Sequence, residues 1–132
     1  MSIFVDTSAL FAVLDADDQN HMRAGQTWAA LLTGEEQLIC SNYVLVELFA
    51  LAQRRLGLEA VRVLQEDVTP VLEIIWVDED IHRTAINALL TAARRELSLV
   101  DCVSFEAMRR LGLKRAFTFD HDFAEAGFEC IP

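Results

Sequence analysis

The chain has 132 residues, 53% of them hydrophobic and 24% charged, with five glycines and two prolines. That length serves one hydrophobic core, and the composition is unlike that of a disordered chain, so a single domain over residues 1–132 is expected. Twenty-one Asp and Glu against eleven Lys and Arg leave a net charge of −10, which argues against indiscriminate affinity for a phosphate backbone or an anionic membrane.

In chain order, Ile3-Phe4-Val5 is a β-prone run ending at Asp6, and Ala16 to Leu32 reads as a helix. Leu38-Ile39-Cys40 is a second strand, closed by the cap-like pair Ser41-Asn42 before a helix to about Arg55 that Gly57 ends. A helix from about Glu59 to Asp67, a strand Leu72 to Val77 and a helix from about Glu79 to Arg94 follow. Ser98 opens another helix that Gly112 closes. Arg115 to Phe119 is then a strand, and Phe128 to Ile131 an edge strand. Strands alternating with helices predict an α/β layered fold with a mainly parallel sheet, because parallel neighbours need helical crossovers. No apolar run reaches the roughly 20 residues that span a bilayer, and the first residues lack a basic signal-like segment. Cys40, Cys102 and Cys130 are odd in number and lack CxxC spacing. The expectation is a soluble cytoplasmic protein with reduced thiols and no membrane partner.

Ligand sites in such folds lie at the C-terminal ends of strands, where Asp6 and Asp120 both stand. Each acid also has a local explanation. Asp6 before Thr7-Ser8 fits a helix N-cap, and Asp101, three residues after Ser98, completes a capping box. Asp120 and Asp122 fit a turn. Glu47 has the weakest local explanation, because Tyr43 to Ala52 is apolar on nearly every side and predicts a buried helix. An ionised carboxylate there needs an ion partner, a pocket or a cation. If Asp6, Glu47, Asp101 and Asp120 converge, mutual repulsion calls for a counter-cation, and an all-oxygen donor set suits Mg²⁺ or Mn²⁺. Zinc fits poorly, since His21, His82 and His121 are scattered.

Four segments carry a resemblance that spans essentially the whole chain: Phe4-Val5-Asp6-Thr7-Ser8-Ala9-Leu10, Val44-Leu45-Val46-Glu47-Leu48, Leu97-Ser98-Leu99-Val100-Asp101 and Phe117-Thr118-Phe119-Asp120-His121-Asp122-Phe123. In order and approximate spacing they resemble PIN-domain ribonucleases, in particular the toxins of VapBC-type toxin–antitoxin pairs. The resemblance implies an α/β/α sandwich with an acidic pocket binding Mg²⁺ or Mn²⁺ and a metal-dependent endoribonuclease activity. It assigns Asp6 and Asp101 to the metal, Asp120 to the metal or its waters, and Glu47 to orienting or deprotonating the attacking water. Asp122 is an additional acid, and Thr7, Ser8, Ser104 and Thr118 are candidate hydroxyl donors around the carboxylates. The resemblance further implies an RNA substrate, a homodimer and a cognate antitoxin covering the acidic pocket, with Trp28 to Leu32 and the helix from Tyr43 to Arg55 as candidate surfaces.

Rival readings are weaker. A phosphatase with an N-terminal Asp nucleophile wants a second Asp where Ser8 stands, and a receiver domain wants a Lys ending a late strand, whereas Lys114 precedes one. A PIN-like interaction module without catalysis is the non-enzymatic alternative. Between Arg94 and Arg115 six basic residues stand against three acids, which makes that stretch the candidate contact for RNA phosphates.

Overall fold

The computed structural model describes residues 1–132. Five strands form one all-parallel sheet in the order β3-β2-β1-β4-β5, where β1 is Ser2–Val5, β2 Gln37–Ser41, β3 Glu73–Ile75, β4 Arg115–Phe117 and β5 Glu129–Ile131. Seven helices connect them: α1 Thr7–Leu14, α2 His21–Thr33, α3 Asn42–Leu56, α4 Leu58–Val63, α5 Glu79–Ala92, α6 Leu99–Leu111 and α7 Asp122–Glu125. Successive strand residues face opposite sides of a sheet. Ile3, Phe4 and Val5 are all fully buried, so the central strand is covered on both faces, which gives the α/β/α sandwich its apolar middle layer.

Most boundaries have a local chemical cause. Ser41 caps α3 by accepting the Val44 N–H at 3.2 Å, and Gly57 at φ 95° ends that helix in a conformation open to glycine. Ser98 and Asp101 form the reciprocal capping box that opens α6, which Gly112 closes at φ 70°. The chain returns from β1 through α1 and α2 to β2 on one side, while β4 joins β1 on the other. The C-terminal ends of β1 and β4 therefore flank the point where the winding reverses, the usual place for a ligand crevice.

Several sequence expectations are corrected here, and the strand expected from Arg115 to Phe119 ends at Phe117. Ala16 to Asn20 is turn rather than helix, because Asp15 and Asp18 accept the N–H groups of Asp17 at 3.0 Å and Asn20 at 2.7 Å, offering the backbone an alternative to helical bonds. The helix expected from Glu59 to Asp67 ends its regular α turns at Val63 and widens over Leu64–Val68 before Pro70. The strand expected to Val77 stops at Ile75, where β2 runs out of partners. Val77 N–H instead donates to Asn42 Oδ1 at 2.8 Å, and Trp76 is 74% exposed. Finally, α3 is not wholly buried: it sinks Val44, Leu48 and Ala52, while Val46 on the far side is 69% exposed.

The main core runs from Phe4 and Phe117 through Leu10, Leu48 and Met108. Trp28 belongs to it, stacked on Phe117 with ring centroids 6.4 Å apart, so it is not available as a docking surface. A smaller cluster of Ile81, Ala85, Cys102 and Val103 fastens α5 to α6. The three cysteines are free thiols, and no helix is long and apolar enough to cross a membrane.

Candidate active site

Asp6 continues the β1 and β4 pairing by one residue, its N–H donating to the Phe117 carbonyl at 3.0 Å. That bond fixes the Asp6 side chain beside the end of β4. Thr118 and Ser8 complete the arrangement. Asp6 Oδ2 accepts from Ser8 Oγ at 2.7 Å, Thr118 Oγ1 at 3.0 Å and the Ser8 N–H at 3.3 Å. Phe119 N–H donates to Ser8 Oγ and Asp120 N–H to Thr118 Oγ1, both at 3.0 Å, so the same two hydroxyls position the loop that carries Asp120.

Asp101 arrives on the first turn of α6, its Oδ2 accepting the Ser98 N–H at 3.3 Å. Glu47 arrives on the half-buried side of α3. A single open crevice of about 440 Å³ is lined by Asp6, Glu47, Asp101 and Asp120, together with Thr7, Ser8, Ser98 and the α3 residues Ala50, Leu51 and Arg54. Four acids far apart in sequence thus face one space.

The division of oxygens within each carboxylate is informative. Asp6 and Asp101 each commit Oδ2 to hydrogen bonds that shape a helix start, while Oδ1 accepts nothing from the protein. The local role of each carboxylate therefore leaves one of its oxygens free to accept from another donor. Burial raises the Asp6 carboxyl to about 6 against the help of Ser8 and Thr118, with repulsion from Asp120 adding to the rise. Burial, then repulsion from Asp6 and Asp120, raises Asp101 to about 7. Such values report negative charge held without sufficient compensation.

Asp101, Asp120 and Asp122 each offer a carboxylate oxygen within 4.8 Å of the other two, a spacing that can hold a metal ion. Asp122 differs from its neighbours. It is 5% exposed and bound by Arg94 at 2.6 Å, which holds its carboxyl below the usual range. Sequence reasoning missed this pairing because 28 residues separate the partners. Of the other candidate donors, Ser104 Oγ donates back to the Val100 carbonyl at 2.9 Å inside its own helix and plays no part in the crevice. Thr7 lines the crevice, and its buried Oγ1 has no protein partner.

The basic stretch from Arg94 to Arg115 is not the continuous cationic surface its sequence suggests. Arg94, Arg110 and Arg115 are paired with Asp122, Asp80 and Glu36 respectively. Lys114 and Arg115 border a different cavity with Met1 and Ser2, at the N-terminal ends of β1 and β4, across the sheet from the acids.

Residues 3–129 match the PIN domain family. The chain belongs to the PIN-domain family. Among PIN-domain relatives, the 23S rRNA-specific endonuclease VapC20 of Mycobacterium tuberculosis is 37% identical over 127 residues, covering 96% of this chain and 95% of the relative. The crystal structure of that protein, described as a Sarcin-Ricin loop cleaving toxin, superposes with a TM-score of 0.88 at 36% identity, covering 99% of this chain and 100% of the other. VapBC2 from Rickettsia felis, solved bound to a promoter DNA fragment, shares the PIN fold with a TM-score of 0.72 at 13% identity over 98% and 97% of the two chains.

Proposed function

We propose that this protein is a metal-dependent endoribonuclease that hydrolyses RNA phosphodiester bonds as the toxin of a toxin–antitoxin pair. The observation that carries the reading is the convergence of Asp6, Glu47, Asp101 and Asp120 on one crevice at the reversal point of the sheet. The likeness to VapC20 supports ribosomal RNA as the substrate class, with the sarcin–ricin loop of 23S rRNA as the specific candidate. The site of action is then the cytoplasm, and one catalytic domain over residues 1–132 carries the activity.

The residues fit a divalent cation. The donor set is all oxygen, Asp6 and Asp101 each keep an uncommitted oxygen, and their raised carboxyl values mark charge that a cation would relieve. Asp6, Asp101 and Asp120 are the ligands proposed, with Mg²⁺ or Mn²⁺ as the ion. When bound, such an ion supplies charge neutralisation at the phosphate and acidifies a water for attack.

The protein's own groups carry the rest. Ser8 and Thr118 hold the Asp6 carboxylate in one orientation, and the capping box does the same for Asp101, so neither needs to be reorganised during reaction. Glu47 accepts the proton of the attacking water as the new O–P bond forms, and the bond to the leaving ribose oxygen breaks with that oxygen taking a proton from solvent water. No protein nucleophile is required. Arg94 neutralises Asp122 and so limits the negative charge that an incoming phosphate meets.

An antitoxin that covers the crevice and a homodimer complete the proposal. Solved neighbours of this fold include toxin–antitoxin complexes. The purified protein, freed of bound antitoxin, is expected to cleave a sarcin–ricin-loop RNA in Mg²⁺ or Mn²⁺ and not in EDTA. Asp6→Asn and Asp101→Asn should each lower the rate by at least about a hundredfold with circular dichroism unchanged. Cleavage by both variants at the wild-type rate would reject the assignment of these acids, whereas no cleavage by wild type in either metal would favour a non-catalytic interaction module.

A further inference from the structure

A crevice lined by four carboxylates repels the polyanion it is proposed to cut, so an additional cation is needed to hold substrate phosphates at its edge. Most basic residues of the chain are unsuited to that task. Arg62, Arg83, Arg94, Arg110 and Arg115 are paired with the protein's own acids, and Lys114 lies across the sheet. Arg109 and Arg23 lie over the rings of Phe128 and Phe119.

Arg54 is different. It is the one basic residue lining the acidic crevice, it is exposed, and its guanidinium forms no ion pair or side-chain hydrogen bond. It stands seven residues after Glu47, and Glu47, Ala50, Leu51 and Arg54 share one face of α3 at the i, i+3, i+4, i+7 spacing. That spacing puts Arg54 about 10 Å along the helix axis from the proposed base. Ala50 and Leu51 form a small apolar ledge between them.

We propose that Arg54 is the phosphate-binding residue of the crevice, its guanidinium taking the phosphate of a nucleotide that flanks the one cut. The proposal rests on the ribonuclease reading. Distance from Glu47 assigns it a neighbouring phosphate rather than the scissile one. A guanidinium offers the paired N–H geometry that matches phosphate oxygens, and no internal ion pair has to be broken to use it. Arg54 is then a determinant of substrate binding, and the ledge beside it accommodates the ribose or base of the same nucleotide.

The test compares wild type, Arg54→Ala and Arg54→Lys, using a fluorescein-labelled sarcin–ricin-loop RNA. Cleavage kinetics are measured in Mn²⁺, and binding by anisotropy across a salt series in Asp101→Asn backgrounds. Arg54→Ala is expected to raise KM and Kd about tenfold, the size of one charge-assisted hydrogen bond, with kcat changed far less. The slope of log affinity against log salt should fall by roughly 0.7, the contribution of one single-strand phosphate contact, and Lys should restore that slope. The Mn²⁺ concentration that half-saturates the thermal shift should stay the same. Unchanged KM and salt slope in Arg54→Ala overturns the proposal, as does a changed Mn²⁺ midpoint with unchanged RNA binding, which marks Arg54 as an internal counter-charge. If wild type does not cleave, the ribonuclease reading fails separately, and the anisotropy series still decides whether Arg54 contacts RNA.

Discussion

Asp6 and Asp101 each commit one oxygen to a helix start and leave the other without a protein partner, and that division separates structural from chemical consequences of mutation. Asn keeps one carbonyl oxygen for the Ser8, Thr118 or Ser98 donors while removing the charge that burial disfavours. Asp101→Asn is therefore expected to raise the melting temperature of the metal-free protein by roughly 3–6 °C, on the order of 1–2 kcal/mol. The same variant should lose most of the stabilisation that wild type gains from millimolar Mn²⁺. Scanning calorimetry with and without the ion reads both effects, and a lower metal-free melting temperature would show that the carboxylate is compensated within the fold. Asp6, Asp101 and Asp120 were all visible in the sequence as acids at strand or helix ends. Arg94 was visible as a basic residue, but its attachment to Asp122 was not, because nothing local couples residues from α7 and the loop after α5.

The elements that present these residues are held by short-range devices, and one of them is imperfect. α5 ends at Ala93 in the left-handed region, φ 51°, where a Cβ is disfavoured. Ala93→Gly should stabilise the protein by about 0.5–1 kcal/mol in urea unfolding at constant m, since glycine adopts this conformation without the steric cost. The position also leads into Arg94, so the variant tests whether a relaxed turn still delivers the guanidinium to Asp122. Helix ends were largely legible from sequence because Ser41, Gly57, Ser98 and Gly112 act within one turn. Strand ends were not. Trp76, Val77, Thr118 and Phe119 are as β-prone as the residues before them, yet pairing stops where the neighbouring strand supplies no further partner.

At the scale of the molecule, the acidic crevice couples stability to pH and, on the proposed function, to metal. Asp6 and Asp101 titrate near 3.8 when unfolded and at about 6 and 7 when folded. Between those limits the folded state holds more protons, so these two groups favour folding most below about pH 4. Their contribution declines as pH rises to about 7 and then levels. Asp122 acts oppositely: Arg94 depresses its folded value, so its contribution is present above about pH 4 and lost in acid. Metal-free protein should accordingly be most stable in mildly acidic solution and lose stability toward pH 8. If the proposed divalent ion binds Asp6 and Asp101 it displaces their protons, and the thermal shift produced by Mn²⁺ should then be larger at pH 8 than at pH 5. Thermal melts over this pH range check both trends; a metal-free optimum above pH 7 contradicts the first.

The sequence alone determined the alternation of strands and helices and the parallel sheet it requires, because these follow from residue types within a few positions of one another, and it singled out Asp6, Glu47, Asp101 and Asp120 as candidate site residues through a resemblance that spans the chain. Tertiary structure decided which of those acids share a space and which cations remain unpaired beside them. The convergence of Asp6, Glu47, Asp101 and Asp120 depends on strand order and helix packing. The same packing binds Arg94 to Asp122 and leaves Arg54 facing the crevice. The physical reason is range. Caps and periodicity act over one or two turns, whereas charge compensation acts through space between segments that the chain brings together only when the sheet closes.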